Sequence, residues 1–480
     1  MLCIQKCDMH LFQTEEHKQP VVYQVETGLF FELDTLFQSI LACCEGLSVD
    51  RIVQVLADQY EAEEIVEAIE ELAQVGLISD GALPLISSVL TAEGMAACGI
   101  SQTDRLQVSL HVSHSCNIQC AYCFAHGGDY GGKAMLMQPD VAEQAIRWIV
   151  TEAQVFGRCQ IDFFGGEPLL NFPLMQELVP FAKSLGARLG VPVGFGIVTN
   201  GTLLTDEMKQ FLVDEKFQIK VSLDGGRQTQ DRIRTFHNGS GTYDVVAKNV
   251  KKLTAEAPER VYLQAIMTAY DMDEDQIADA LRSLGTENAL VDLAVVSPDA
   301  PYAIGEEHLP VLKQQIYRRS RRALKAILNG EENEEFDPRI QKLLTRQKSC
   351  HGCLGGKQYL AIAADGAIYF CSSLADAPEF KMGDVFAGID REKQQHFDAQ
   401  FNVNNRPECR TCWARNLCGG GCLWEARTTT GDPMYPNPVA CEQTRYRYEL
   451  AMEMCMEIAE TDASLLQRRY DLEVVSEAEK

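Results

Sequence analysis

The sequence predicts an α/β fold with a smaller region on each side of it. From Leu106 to about Asn329, apolar strand-like runs alternate with six amphipathic helical segments, the pattern of consecutive βα units around a parallel sheet. Before this part of the chain strand-like runs precede helices, and after it cysteines become frequent. We therefore expect domains over residues 1–90, 100–330 and 331–465, the last ending in a helix, with a charged tail over 466–480.

The composition restricts where and on what this protein acts. Its 480 residues carry 69 acidic and 43 basic side chains, and the net charge of −26 excludes a nucleic-acid or anionic-membrane partner. No stretch approaches about 18 uninterrupted apolar residues, and the charged N-terminus lacks the apolar core of a signal peptide, so we expect a cytosolic protein. In that reducing compartment the 18 cysteines indicate metal ligation rather than a disulfide framework.

Residues 1–90 predict a compact winged-helix-like domain, in which strands precede helices. The strand-like runs lie at 9–12, 21–25 and 29–33, and the helices near 34–45, 49–59 and 62–76. This layout resembles the precursor-peptide recognition domains of many peptide-modifying enzymes, whose exposed strand edge pairs with a leader peptide. An ordinary structural winged-helix domain is the alternative, and the many acids of these helices disfavour DNA binding.

The strands of the central region indicate where its active site lies. They are predicted near 106–115, 160–164, 194–199, 218–223, 261–268 and 290–297, with a helix after each. In barrels of βα units the active site is at the C-terminal ends of the strands. Cys116 follows the first strand directly, so we expect its loop to face the mouth of the barrel.

Three cysteines in that loop have the spacing C-x3-C-x2-C: Cys116, Cys120 and Cys123. Three thiolates leave one iron of a four-iron cluster without a protein ligand, whereas electron carriers usually supply four. With the aromatic Tyr122 before the last cysteine, the motif resembles that of the radical S-adenosylmethionine (SAM) superfamily. The resemblance implies a partial (β/α)6 barrel and an open iron chelated by SAM. A zinc site or three unrelated buried thiols are the alternatives.

Further motifs at the strand ends strengthen this resemblance. Gly165-Gly166-Glu167-Pro168 follows the second strand, and the family uses such a GGEP turn to hold the amino group of SAM. Ser222 is the candidate for a ribose hydroxyl, and the planar fork of Arg234 for the SAM carboxylate, with Arg232 expected to be a surface charge. The predicted SAM-binding residues are Tyr122, Gly165, Gly166, Glu167, Pro168, Thr199, Asn200, Ser222 and Arg234.

Eight cysteines between Cys350 and Cys441 predict a second metal-binding region. With Gly366 before Cys371, their spacing resembles the SPASM domain of radical SAM enzymes that modify peptides, which binds two auxiliary four-iron clusters. The resemblance implies that auxiliary cluster I is held by Cys350, Cys353, Cys371 and Cys422, and auxiliary cluster II by Cys409, Cys412, Cys418 and Cys441. We therefore expect three [4Fe-4S] clusters, with a zinc ribbon as the alternative for these thiols.

The remaining thiols and two histidines receive no catalytic role. The cysteines without motif spacing are Cys3, Cys7, Cys43, Cys44, Cys98, Cys159 and Cys455. Most are expected to be small buried apolar residues. His111 and His114, beside the cluster loop, are expected to pack or to form hydrogen bonds.

The cluster loop and the turn after the second strand also indicate a branch of the family. The segments 116–132 and 162–172 resemble the thioether-forming maturases of ranthipeptides, of cysteine-to-aspartate or cysteine-to-glutamate links, and of the quinohemoprotein amine dehydrogenase subunit. The hypothesis is a peptide thioether synthase that joins a cysteine sulfur to another carbon after hydrogen abstraction. Its implied partners are a precursor peptide or small protein subunit, bound partly by the N-terminal domain, and a flavodoxin- or ferredoxin-like electron donor.

Three alternatives remain for the function. The first is oxidation of serine or cysteine to formylglycine, as in anaerobic sulfatase maturases. There an aspartate follows the cysteine equivalent to Cys371 and acts as base, whereas this chain has Ser372 and Ser373. The second is a carbon–carbon crosslinking peptide cyclase. The third is a non-enzymatic iron–sulfur scaffold, which would need neither an open iron nor the GGEP turn.

Overall fold

A computed structural model describes residues 4–13, 19–79, 105–331 and 337–470. The N-terminal part forms the predicted sequence of strands followed by helices. Its elements are β1 (Gln5–Lys6), β2 (Met9–Phe12), β3 (Val21–Gln24), β4 (Phe30–Glu32), α1 (Thr35–Cys43), α2 (Val49–Leu56), α3 (Ala62–Gln74) and β5 (Ile78–Ser79). Strands β2, β3 and β4 form an antiparallel sheet in that order, and β1 pairs with β5. Asp34 and Ser48 begin α1 and α2 because their side chains accept hydrogen bonds from backbone amides of the first turns.

All six predicted strands of the central region are present. The strands are β6 (Leu106–His114), β7 (Ile118–Cys120), β8 (Met135–Leu136), β9 (Cys159–Gly165), β10 (Val193–Thr199), β11 (Gln218–Ser222), β12 (Arg234–Phe236), β13 (Val261–Met267) and β14 (Ala289–Leu293). Strands β6, β9, β10, β11, β13 and β14 pair in parallel in chain order. The last strand, β14, is shorter than predicted because its partner β13 ends at Met267. The Ala294 amide donates a hydrogen bond to the Met267 carbonyl oxygen, and the pairing stops there.

Helices follow the parallel strands and cover the sheet. They are α4 (Pro139–Glu152), α5 (Phe172–Leu189), α6 (Asp206–Asp214), α7 (Arg227–Ile233), α8 (Tyr243–Thr254), α9 (Glu274–Arg282) and α10 (Leu309–Leu328). Their buried apolar side chains join those of the strands in one large core, with Phe163, Phe195 and Phe217 stacked inside it. Because this core is continuous, the loops at the strand ends are carried on one rigid layer.

The C-terminal region extends the central sheet. Its elements are α11 (Pro338–Leu344), β15 (Tyr359–Ile362), β16 (Ala367–Tyr369), β17 (Lys381–Asp384), β18 (Gly388–Ile389), α12 (Arg391–Gln400), α13 (Arg415–Cys418), α14 (Leu423–Thr430) and α15 (Pro438–Tyr470). Strand β15 lies beside β6 and parallel to it, and β16, β17 and β18 continue antiparallel. The sheet is therefore mixed.

The end of the chain differs from the prediction. Helix α15 continues to Tyr470, past the expected start of the tail at residue 466, although its backbone departs from helical geometry at Asp462. Residues 471–480 lie outside the described part. The helix packs its apolar side against the N-terminal sheet and α10, in a core that includes Tyr23, Leu324 and Ile458. Within the described residues, no helix is long and apolar enough to cross a bilayer.

Candidate active site

The three-cysteine loop is fixed by neighbouring backbone and side chains. It begins after β6, and its strand β7 pairs antiparallel with β12, so that Arg234 lies opposite Cys120. The Tyr302 hydroxyl donates to the Ala121 carbonyl oxygen at 2.6 Å, and His237 Nε2 lies 3.1 Å from the Cys116 carbonyl oxygen. These contacts hold the three thiols at the C-terminal edge of the parallel sheet.

Burial keeps two of these thiols protonated when no metal is bound. Burial is the main cause that raises the pKa of Cys116 to about 11 and that of Cys120 to about 12. A metal must therefore displace protons to bind the thiolates, as cluster assembly does. The guanidinium of Arg234, whose Nη1 lies 3.8 Å from Cys120 Sγ, favours the charged form. Three soft sulfur donors on one loop suit an iron–sulfur cluster.

The Gly165-Gly166 turn allows the end of β9 to touch the end of β6. Gly165 has φ +128°, and a Cβ there would lie 2.0 Å from the Ser113 carbonyl oxygen; at Gly166 it would lie 2.3 Å from that of Ser115. The amides of Gly166 and Glu167 donate to these carbonyl oxygens at 2.9 and 2.8 Å. Both amides are therefore committed to the fold, and a ligand at this turn would meet its carbonyl side.

Glu167 is a buried link between two strand ends. Its carboxylate accepts hydrogen bonds from Thr199 Oγ1 at 2.8 Å, from the Asn200 amide at 2.8 Å and from the Leu169 amide at 3.1 Å. Burial raises the pKa of this carboxyl to about 7, although the three donors favour its ionised form. The predicted SAM contact of Glu167 thus falls on a side chain that is satisfied by protein groups, and the buried Pro168 follows it.

Tyr122 and Arg234 are joined through a carboxylate that sequence reasoning did not single out. Asp224 Oδ2 accepts from Arg234 Nε at 3.0 Å and from the Tyr122 hydroxyl, and Oδ1 accepts from the Ile266 amide at 2.9 Å. The Arg234 guanidinium also lies 5.1 Å from the centre of the Tyr122 ring. The available signal was an acidic residue directly after an apolar strand, in Ser222-Leu223-Asp224-Gly225.

The other predicted SAM residues also lie at the strand ends. Asn200 Nδ2 is 3.0 Å from Asn117 Oδ1 and 3.7 Å from Cys116 Sγ, so the turn after β10 touches the cysteine loop. Ser222 ends β11 and pairs in register with Gln264. The structure thus gathers all the predicted residues around one edge, while several of their polar groups bind each other.

Three of the four thiols assigned to auxiliary cluster I lie near one another. Burial and the neighbouring thiols of Cys353 and Cys422 raise the pKa of Cys371 well above its usual value. Burial raises the pKa of Cys422 to about 11, and the neighbouring thiol of Cys353 adds to this increase. The fourth thiol, Cys350, is buried and engaged in a disulfide bond. Its ligation of a cluster would therefore require prior reduction of that bond.

The four thiols assigned to auxiliary cluster II line one cavity. The cavity has a volume of about 200 Å³, and its lining includes Cys409, Cys412, Cys418 and Cys441. Cys422, which the resemblance assigns to auxiliary cluster I, also lines it. Burial, with the other three thiols, raises the pKa of Cys441 to about 12. A partly open cavity of this size, lined by soft sulfur donors, suits a four-iron cluster.

The thiol geometry differs from that of a single-ion site. Within residues 4–13, 19–79, 105–331 and 337–470, no three His, Cys, Asp or Glu side chains are close enough together to hold one metal ion. A tetrahedral zinc site gathers its ligands around one ion, whereas a cuboidal cluster distributes them over several irons. Binding of zinc would need these side chains to move together.

The described cysteines without motif spacing occupy buried or half-buried positions, as expected of small apolar residues. Cys44, Cys159 and Cys455 are buried, and Cys7 and Cys43 are half-buried. Burial raises the pKa of Cys159 to about 12, so this thiol is neutral and unreactive. Cys3 and Cys98 lie outside the described residues.

Comparison with known proteins identifies the central region. Residues 110–284 match the sequence model of the Radical SAM superfamily. A cysteine-type anaerobic sulfatase-maturating enzyme of Clostridium novyi (strain NT) is 23% identical over 382 residues, which cover 73% of this chain and 96% of that enzyme. A serine-type anaerobic sulfatase-maturating enzyme of Klebsiella aerogenes is 26% identical over 327 residues, covering 65% of this chain and 78% of that enzyme.

Solved structures share the fold. Native anSMEcpe with bound AdoMet superimposes with a TM-score of 0.61 at 20% identity and covers 74% of this chain and 99% of its own. Streptococcus suis SuiB bound to S-adenosylmethionine has a TM-score of 0.50 at 16% identity, covering 91% of this chain and 99% of its own. The α/β radical SAM fold with a mixed sheet is thereby established.

Proposed function

We propose that this chain, which is a radical SAM enzyme, removes two hydrogens from a side chain of a ribosomally made polypeptide. The observation that carries the proposal is that one sheet positions both the cysteine loop after β6 and the loop that contains Cys371. Strand β15 pairs with β6, and Tyr359 Oη lies 3.0 Å from both Ser109 Oγ and Ser372 Oγ. The loop of Cys371 is thus tied by hydrogen bonds to the strand that leads into the loop of Cys116.

The cofactor sites follow from the thiols on these loops. In the proposal one [4Fe-4S] cluster is held by Cys116, Cys120 and Cys123 and binds SAM, and two further clusters are held by the C-terminal thiols. Bound, these groups supply a hydrogen-abstracting 5′-deoxyadenosyl radical and an acceptor for one electron. The protein side chains orient the peptide, exclude water and take up a proton.

Oxidation to formylglycine is the fate of the side chain that the sequence relatives support. Both relatives described above are named as anaerobic sulfatase-maturating enzymes, one cysteine-type and one serine-type. A structure of anSMEcpe also contains a Cp18Cys peptide, which shows that this fold accommodates a peptide. These comparisons favour the formylglycine reaction over the thioether hypothesis. Loss of two hydrogens from serine gives the aldehyde. The same loss from cysteine gives a thioaldehyde, which water hydrolyses to the aldehyde with release of hydrogen sulfide.

Thioether formation is the second candidate, and one feature of the site favours it. The residue after Cys371 is not the aspartate base expected of a sulfatase maturase. It is the buried Ser372, whose hydroxyl lies 3.0 Å from Tyr359 Oη. A serine hydroxyl held in this way is a poor proton acceptor. In a thioether reaction the same two hydrogens leave, one from carbon and one from a cysteine sulfur.

The N-terminal domain is proposed to bind part of the polypeptide. Of its three-stranded sheet, β2 faces the C-terminal region, where the His10 ring stacks on Trp413 at 4.0 Å. Strand β4 pairs only with β3 among the described residues. A leader peptide adding to the edge of β4 would satisfy its backbone groups.

Mass spectrometry distinguishes the two fates. Reduced enzyme and SAM are incubated anaerobically with the Cp18Cys peptide and, separately, with a cysteine-bearing polypeptide encoded next to this gene. After reduction and alkylation with iodoacetamide, formylglycine reacts with a hydrazide probe. A thioether instead gives loss of two hydrogens and one thiol fewer to alkylate. Release of 5′-deoxyadenosine with both polypeptides unchanged in mass would contradict the proposal.

A further inference from the structure

Two buried oxygen atoms near the cysteine loops have no hydrogen-bond partner among the described residues. They are Tyr130 Oη and Asp376 Oδ1. Tyr130 follows Cys123 by seven positions, and Asp376 follows Cys371 by five, so one oxygen comes from each of the two loops described above. Unpartnered buried polar atoms are rare because leaving them unpaired is costly, so such a pair points to a missing ligand.

The fold forces the Tyr130 ring into its position. Tyr130 has φ +56°, a left-handed conformation that a bulky residue rarely adopts, and it is 6% exposed. Its ring lies 4.8 Å from that of His111 and 4.7 Å from that of His114, and it packs with Ala125 and Ala375. A strained backbone conformation of this kind persists only where the surrounding structure enforces it, and such residues are frequent at active and ligand-binding sites.

Asp376 is held by its other oxygen. Oδ2 lies 3.5 Å from His126 Nε2 and 3.7 Å from Arg427 Nη1. The side chain is 18% exposed, and Arg427 also contacts Glu379 at 3.3 Å. These contacts orient the carboxylate through Oδ2, while Oδ1 remains available as an acceptor.

The two oxygens lie in one region of the molecule, because Tyr130 packs in the same cluster as Ala375, the residue before Asp376. Burial is the main cause that raises the pKa of Tyr130 well above its usual value, and the charge of Asp376 contributes to the increase. Tyr130 is accordingly a neutral O–H donor, and Asp376 is an acceptor. A group that both accepts and donates a hydrogen bond satisfies the pair, and a thiol or hydroxyl is such a group.

We propose that Tyr130 and Asp376 hold the S–H or O–H group of the reacting side chain, and that Asp376 accepts its proton. This rests on the proposed function. When the side chain is oxidised, one hydrogen leaves carbon as an atom to the 5′-deoxyadenosyl group and the other leaves sulfur or oxygen as a proton to Asp376 Oδ1. One electron passes to an iron–sulfur acceptor, and a C=S, C=O or C–S bond forms. Asp376 thus supplies the base that Ser372 does not.

The test compares Asp376→Asn and Tyr130→Phe with Glu379→Gln. The last variant removes a 60% exposed carboxylate from the same arginine and is the matched control. The probe is whichever polypeptide, Cp18Cys or the neighbour-encoded one, wild-type enzyme modifies. Deuterium is placed on its cysteine β carbon if the product is formylglycine, and on the carbon that the sulfur joins if the product is a thioether. Product per 5′-deoxyadenosine is measured together with deuterium transfer and iron content.

Loss of the base should separate hydrogen abstraction from product formation. For Asp376→Asn we expect product per 5′-deoxyadenosine to fall about 100-fold, and for Tyr130→Phe about tenfold, with deuterium transfer and iron content unchanged. Asp376→Glu should restore part of the product, and Glu379→Gln should match wild type. A wild-type product ratio in both Asp376→Asn and Tyr130→Phe would overturn this inference alone, as would equal loss in Glu379→Gln. Failure of wild type to modify either polypeptide would instead contradict the proposed function.

Discussion

Gly165 sets the distance between the ends of two neighbouring strands. Its left-handed backbone and the 2.0 Å separation from the Ser113 carbonyl oxygen exclude a Cβ atom there. A Gly-Gly pair after a strand is visible in the sequence, so the turn was predicted. That its amides bind the backbone of residues 113–115 was not, since this depends on which strands become neighbours. The same is true of the Asp224 carboxylate, which links Tyr122 to Arg234.

Replacing Gly165 by alanine should destabilise this turn. The added Cβ must displace backbone atoms, so we expect a loss of at least about 3 kcal/mol of stability and a strong loss of SAM binding. Gly157→Ala is the matched control because Gly157 also has a positive φ, +86°, but its Cβ would meet nothing within 4 Å. It should cost about 1 kcal/mol. Thermal unfolding and equilibrium dialysis with SAM measure both effects; equal losses in the two variants would contradict the steric account.

Glu167 should make stability depend on pH. Burial raises its pKa in the folded chain to about 7, above the value of about 4.3 in the unfolded chain. The folded state therefore holds a proton that the unfolded state has lost, and stability falls as pH rises from about 4.3 to about 7. The fall should be about 4 kcal/mol in total and absent in Glu167→Gln. Denaturant unfolding of both proteins at about pH 5.5 and about pH 8 tests this; parallel profiles would argue against a protonated Glu167.

Among the secondary-structure elements, the repeated βα units could be predicted from the sequence and the short C-terminal strands could not. The six parallel strands were located because each is an apolar run followed by an amphipathic helix. Strand β15 has four residues and no such pattern, yet it pairs with β6, which precedes it by some 250 positions. Short strands are recognised by their partners in space, and a single sequence does not give those partners.

Arg415 of the C-terminal region forms two ion pairs with the N-terminal domain. Arg415 Nη1 lies 2.6 Å from Asp8 Oδ2, and its Nη2 lies 2.7 Å from Glu26 Oε1. The Arg415 side chain is 10% exposed, and the next residue, Asn416, donates from Nδ2 to the Val25 carbonyl oxygen at 3.0 Å. These contacts fix the sheet that is proposed to receive a leader peptide.

Arg415→Met should loosen this attachment and leave the central sheet intact. Asp8 and Glu26 lose their ion pairs with Arg415, although Glu26 keeps Lys348 at 3.3 Å. We therefore expect about 1–2 kcal/mol less protection of the β3 and β4 amides in hydrogen exchange. Arg147→Met is the control, since Arg147 pairs with Glu143 on the exposed face of α4. Unchanged exchange in β3 and β4 in the Arg415 variant would show that the apolar contacts alone hold the domain.

For the whole molecule, the family resemblance supplied an assignment of eight thiols to two clusters, and this assignment stays a prediction. Cys409, Cys412, Cys418 and Cys441 line one cavity, but Cys422, which is assigned to the other cluster, lines it too. Spacing did not indicate the disulfide of Cys350 or the unpartnered oxygens of Tyr130 and Asp376. These depend on how loops distant in sequence meet. The identity of the polypeptide lies outside this chain altogether.

Removing the first three thiols should remove one cluster only. Replacing Cys116, Cys120 and Cys123 by alanine should lower the iron content of anaerobically reconstituted protein by about four of about twelve atoms and abolish 5′-deoxyadenosine release. Replacing Cys43, Cys44 and Cys159, which lack motif spacing, should leave the iron content unchanged. Loss of all iron from the first variant would contradict separate sites.

The most direct test of peptide oxidation measures two products in one anaerobic reaction. Reduced enzyme, SAM and the polypeptide are mixed, and mass spectrometry quantifies 5′-deoxyadenosine and the polypeptide together. We expect one 5′-deoxyadenosine for each pair of hydrogens removed from the polypeptide. A thioether shows this removal directly as a loss of mass, whereas the alternative product is detected as formylglycine. Release of 5′-deoxyadenosine without any change in either polypeptide, or modification without its release, would contradict this expectation.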